Sequence, residues 1–145
     1  MRIAGIYSFN NGENVVANKY SGLLQEIKDC IGNIDASQCK TKKSEEKTMP
    51  GKMLFSPVKL NKQFKERLYN KGWQSVRVQC DYSAQYYVSD YQPKQLRKGA
   101  FREMDFVKRK LGVEVQFGKY SFMVYNVAAK MTIFRNLLFI DTGIE

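Results

Sequence analysis

Apolar positions along the chain change their period several times, and each change predicts an element. From residue 20 to residue 34, Leu23, Leu24, Ile27, Ile31 and Ile34 recur at spacings of three and four. That spacing marks an amphipathic helix with one face on a core, and Ser21 is its expected cap. Residues 2–9 ahead of it read as a short strand. Residues 37–52, rich in lysine and broken by Pro50 and Gly51, carry almost nothing apolar and predict a loop or mobile arm. A short extended piece follows over residues 53–55 and is broken at Ser56-Pro57. A helix is then expected from about Asn61, with Phe64, Leu68 and Tyr69 on one face and Lys71-Gly72 as its stop. Lys62, Lys65, Arg67 and Lys71 form its wet side.

The second half shifts toward alternation. Residues 74–82 alternate through Val76, Val78 and Cys80 and predict a strand. Residues 83–100 resist assignment. Tyr82, Tyr86, Tyr87 and Tyr91 in this region suit either stacking on exposed bases or half-buried packing. Asp105 lies on the next expected strand. In residues 113–117 apolar and polar positions alternate strictly, so Glu114 and Gln116 project from one face and Val113, Val115 and Phe117 from the other. Lys110-Leu111-Gly112 offers a turn that brings Asp105 to the same pocket. Residues 121–136 are apolar enough for a buried helix, residues 137–140 read as an apolar strand, and Gly143 begins a further turn or strand. The order β-β-α-β predicts an α/β fold, a mixed sheet with a crossover helix. One domain spanning residues 1–145 is expected, since no linker or internal repeat interrupts the pattern.

Composition narrows the chemistry. The chain is 43% hydrophobic and 13% aromatic, enough for a real core. No apolar run reaches the eighteen or so residues of a membrane span, and the polar turn at Asn10 leaves no signal-peptide core. A cytoplasmic location and no membrane partner follow as expectations. Lysine and arginine outnumber aspartate and glutamate by 24 to 14, a net charge of +10, which favours polyanions and nucleic acid first. Cys30, Cys39 and Cys80 lack metal-ligand spacing and read as reduced thiols, Cys30 and Cys39 as packing residues. The chain contains no histidine. Ser-His-Asp and Cys-His nucleophile systems and histidine-ligated zinc are thereby excluded. Any hydrolysis must rest on carboxylates, amides, lysines and a metal.

Two carboxylates nine residues apart, Asp105 and Glu114, converging in a basic protein suggest a divalent ion held beside a phosphate. The plainer alternative is a pair of surface carboxylates in ordinary salt bridges. The wider string REMDFVKRKLGVEVQFGKYSFMVYNVAAKMTIF resembles the active-site segment of type II restriction endonucleases of the BglII/BstYI kind, within the PD-(D/E)xK nuclease superfamily. In that group glutamine replaces the family lysine, leaving an E-x-Q strand, as in Glu114-Val115-Gln116. The resemblance extends to IDASQCKTKKSEEKT and to LFSPVKLNKQFKERLYNKGW, and is patchy over residues 74–102.

The resemblance implies a restriction-endonuclease-like central mixed sheet flanked by helices. It also implies a homodimeric, Mg2+-dependent enzyme that cuts double-stranded DNA at sites with a GATC core. Asp105 would be the direct metal ligand, the Val115 carbonyl a second, and Glu114 would hold a water carried by the metal. Gln116 would orient the attacking water or the scissile phosphate, and Lys119 would contact DNA near the outer base pair. Lys40, Lys42 and Lys43 are the further candidates for phosphate contact, from the basic arm. Relatives continue past the point where this sequence stops, so the domain is expected to lack its C-terminal part. Activity is expected to depend on the metal and to rise with pH, without a histidine-like titration near neutrality. Two other functions compete: a catalytically silent relative that only binds DNA, and an unrelated basic RNA-binding domain.

Overall fold

The central sheet grows from a hairpin to which two edge strands are added. The computed structural model describes residues 1–80, 87–91, 100–117 and 120–145. Within these, α1 (Gly12–Lys19), α2 (Ser21–Gly32) and a short 3-10 turn (Ala36–Cys39) precede a two-stranded antiparallel ribbon of β1 (Lys42–Lys43) and β2 (Met53–Leu54). Next come α3 (Pro57–Tyr69), β3 (Gln74–Gln79), β4 (Phe101–Lys108) and β5 (Leu111–Val113). A helical crossover runs through α4 (Tyr120–Tyr125), a π-helical turn (Asn126–Lys130) and α5 (Met131–Asn136) to β6 (Thr142–Ile144). The sheet order is β3-β4-β5-β6, antiparallel except for the parallel β5–β6 pair that the crossover joins. This is a mixed α/β sheet flanked by helices, as the alternation and its β-β-α-β order led one to expect.

Two cores lie against the sheet. Leu23, Ile27 and Cys30 of α2, with Leu60, Phe64 and Leu68 of α3, bury against Trp73, Phe106, Leu111 and Val113. A smaller cluster joins Met104, Phe134 and Ile140, flanked by Val76, Val78, Val107 and Met131. Met104 and Phe106, two apart on one strand, would ordinarily share a face. They separate because the register shifts: Gln74 pairs with Val107 and Val76 with Met104. The single residue Ser75 thus opposes Asp105 and Phe106, a β-bulge.

Close packing dictates Gly112. It lies inside β5 rather than in the expected turn, and a Cβ there would stand 2.5 Å from Met104 Sδ and 3.0 Å from Ile140 Cγ2, both from buried side chains. The turn itself is Arg109-Lys110, with φ of 48° and 67°, the two-residue loop whose twist suits a hairpin.

Several other expectations are corrected. Residues 2–9 form no strand and are exposed; among the described residues no sheet partner lies alongside, and the amino terminus instead donates to the Ile34 carbonyl at 2.6 Å. α1 was not anticipated, because only Val15 and Val16 give it an apolar side. Ser21 begins α2 without capping it, and the cap position Tyr20 makes no side-chain capping bond. α3 starts at Pro57, four residues before Asn61. Ser56 Oγ accepts from the Lys59 N–H, and Pro57 occupies the first turn, where its missing N–H costs nothing. Residues 137–140 are not a strand either: they close α5. Leu138, at φ 62°, donates to the Arg135 carbonyl and Phe139 to the Phe134 carbonyl, a Schellman cap with its usual apolar clasp, Phe134 on Phe139 at 6.0 Å. Nor is the crossover helix buried throughout, since Phe122, Met123, Val124 and Tyr125 are exposed.

Candidate active site

The β4–β5 register pairs Lys108 with Leu111, Val107 with Gly112 and Phe106 with Val113. One step further along it, Asp105 stands opposite Glu114. Two like charges facing each other across a hairpin are unfavourable, so the arrangement needs compensation. It comes from the backbone. The Asp105 N–H donates to Glu114 Oε1 at 3.2 Å, and the Val115 N–H donates to Asp105 Oδ2 at 3.1 Å. The β4–β5 ladder gives way at this point to bonds between backbone and carboxylate, and β5 ends at Val113, short of the strand expected over residues 113–117. On its other side the Glu114 N–H still reaches the Ile144 carbonyl of β6 at 2.9 Å.

A cation completes the pair. Lys130 Nζ lies 2.6 Å from Glu114 Oε2 and 2.9 Å from the Glu103 carbonyl. The Glu114 side chain is 3% exposed and that of Lys130 14%. Burial pushes the Glu114 carboxyl up to about 7; the Lys130 hydrogen bond opposes that rise and the Asp105 charge adds to it. Burial also holds Glu145 above the usual carboxylate range, against the hydrogen bond it accepts from Asn126 Nδ2 at 3.3 Å.

The structure thus brings Asp105, Glu114 and the Val115 backbone together. Gln116 is exposed and lies on a neighbouring groove with Phe55, Met123 and Glu145; no hydrogen bond joins it to the two acids. Lys40, Lys42 and Lys43 are exposed, the last two on the ribbon whose second strand runs into Phe55 on the rim of that groove. Lys119, Tyr82 and Tyr86 lie outside the described residues. Tyr87 and Tyr91 pack their rings at 5.2 Å. Cys30 and Cys39 are buried, as packing residues should be.

Lys130, Asn126 and Glu145 were not anticipated. Asn126 and Lys130 are the first and last residues of the π-helical turn, a wide turn that often accompanies functional sites. A helix wheel of regular period gives no sign of it. Glu145 follows β6, and its approach depends on the parallel pairing.

Whether these groups suit a divalent ion is a matter of donor chemistry. Magnesium-like ions take oxygen ligands from carboxylates, carbonyls and water, and Asp105, Glu114 and the Val115 carbonyl are of that type. Among the described residues nothing donates to Asp105 Oδ1, and a cation, the Lys130 ammonium, already sits on Glu114. Among the described residues no three His, Cys, Asp or Glu side chains gather into a cage. The set therefore fits an ion that fills its remaining positions with water and phosphate, as Mg2+ does.

A mixed sheet flanked by helices, with two opposed acids on its inner hairpin, is consistent with a restriction-endonuclease-like fold. The chain matches the family model described as restriction endonuclease BglII/BglIII over residues 4–145, and it belongs to that family. Comparison with curated proteins gave no match. Membership makes the chain a nuclease-class hydrolase with DNA as its substrate. Among the described residues no helix is long and apolar enough to cross a membrane.

Proposed function

We propose that this chain is a Mg2+-dependent type II endonuclease of the cytoplasm that hydrolyses phosphodiester bonds of double-stranded DNA at palindromes with a GATC core. The observation that carries the reading is the reciprocal pairing of Asp105 and Glu114 across the hairpin, inside a family of restriction endonucleases. Asp105, the Val115 carbonyl and Glu114 would hold the ion, Glu114 through a water. When bound, the ion would offset the charge of the phosphodiester and make water a better nucleophile. Gln116, neutral and exposed on the adjoining groove, can carry neither a charge nor a proton in transit. Its role is to orient the attacking water or the scissile phosphate by hydrogen bonding. Lys119 contacts DNA near the outer base pair of the site, and Lys40, Lys42 and Lys43 contact the DNA backbone, which fixes register without reading sequence. The working form is a homodimer, because a two-fold symmetric site calls for two active sites facing opposite strands.

Cleavage of a plasmid bearing several GATC-core sites, with Mg2+, tests the reading. Discrete fragments should appear with the natural chain and vanish with Asp105→Ala or with EDTA. Full cleavage in EDTA would rule out the metal reading. Salt-sensitive DNA binding without cutting would favour a silent relative, and preference for single-stranded RNA a different protein class.

A further inference from the structure

We propose that Lys130 is a positioning residue of the active site: from the crossover helix it pins Glu114 in the orientation in which the acid pair receives a divalent ion. The inference rests on the metal-dependent reading above and extends it to a residue outside the hairpin.

Three observations carry it. First, Glu114 is held at both oxygens, Oε1 by the Asp105 N–H and Oε2 by Lys130 Nζ, so its rotamer is fixed from two elements at once. Second, Lys130 is itself fixed, because its ammonium also donates to the Glu103 carbonyl on β4. A lysine tied to the same strand as Asp105 and to the side chain of Glu114 sets one acid relative to the other. Third, Lys130 closes the π-helical turn, and its side chain is far more buried than a surface lysine. Without it, Glu114 Oε2 would have no side-chain donor among the described residues, in a place where an unpaired oxygen is costly. The carboxylate would turn away to find water, leaving Asp105 with a misplaced partner. An ammonium close to an ion also repels it. Geometry favours net support, since Asp105 Oδ1 offers the ion a separate point of entry.

The test is calorimetric titration of DNA-free protein with Mn2+, for the natural chain, Lys130→Arg and Lys130→Met, with circular dichroism as the check of folding. Lys130→Met should weaken Mn2+ binding by about 10-fold or more, the usual cost of losing a residue that orients a metal ligand. Lys130→Arg should keep most of the affinity. On a Glu114→Gln background, Lys130→Met should cost nothing further, which separates action through Glu114 from a general structural role. Should Lys130→Met fail to fold, Lys130→Gln, too short to reach both partners, carries the same expectation. A folded Lys130→Met that binds Mn2+ as tightly as the natural chain, or an equal loss on the Glu114→Gln background, overturns the inference alone. A natural chain that takes no Mn2+ overturns the metal reading and the inference together.

Discussion

Glu114 carries its charge where the fold accommodates one least. Its side chain is 3% exposed and faces a second acid, and burial pushes it up to about 7 from its ordinary value of 4.5. Between those values the folded chain keeps a proton that the unfolded chain has released. The stability this gives is complete below about 4.5 and is lost as the pH rises through about 7. Denaturant melts of the metal-free protein across this window should therefore show stability falling with pH, and Glu114→Gln should flatten most of that fall. Glu145, also raised by burial, leaves a smaller residual slope. A variant with an unchanged slope would contradict the burial of Glu114. The chain has no histidine; in the metal-free protein Glu114 is a carboxyl that burial pushes toward neutrality.

At the scale of elements, α3 and α5 end on the same return of the chain but with different residues at its bend. α3 is followed by Gly72 at φ 82°, and the Trp73 N–H reaches back to the Leu68 carbonyl. α5 makes the same return with Leu138 at φ 62°, a conformation costing an L-residue about 1 kcal/mol. Leu138 is 73% exposed, so little packing depends on its side chain. Leu138→Gly should raise stability by about 1 kcal/mol, visible as a higher melting temperature; a lower one would mean that the leucine packs against something. This position also shows why parts of the fold were hidden in the sequence. A run of four apolar residues at 137–140 has the composition of a buried strand, and only the backbone geometry after α5 makes it a cap. α2, α3 and β3 were legible because one periodic face of each meets a core, whereas β4, which sends Met104 and Phe106 to different cores, was legible only through its hairpin. Asp105 and Glu114 were legible because a hairpin sets partners by local spacing. Lys130, Asn126 and Glu145 were not, since a π-helical turn and a parallel pairing bring them in.

Taken whole, the molecule carries its net charge of +10 partly on the β1–β2 ribbon. Lys42 and Lys43 pair through the backbone with Leu54 and Met53, and their side chains are exposed. Replacing Lys40, Lys42 and Lys43 by alanine should leave the melting temperature nearly unchanged. The dependence of DNA affinity on salt should become shallower by about one unit of log–log slope per lysine. An unchanged slope in titrations at several salt concentrations would remove the ribbon from the DNA interface.

The bulge opposite Ser75 has a further consequence. It is the seam at which β4 passes from one hydrophobic core to the other, and Asp105 sits on it between Met104 and Phe106. The aspartate thus works as the pivot of a balance whose two pans are the cores. Trimming Met104 lightens one pan and trimming Phe106 the other, so two substitutions that never touch DNA would tilt the same carboxylate from opposite sides.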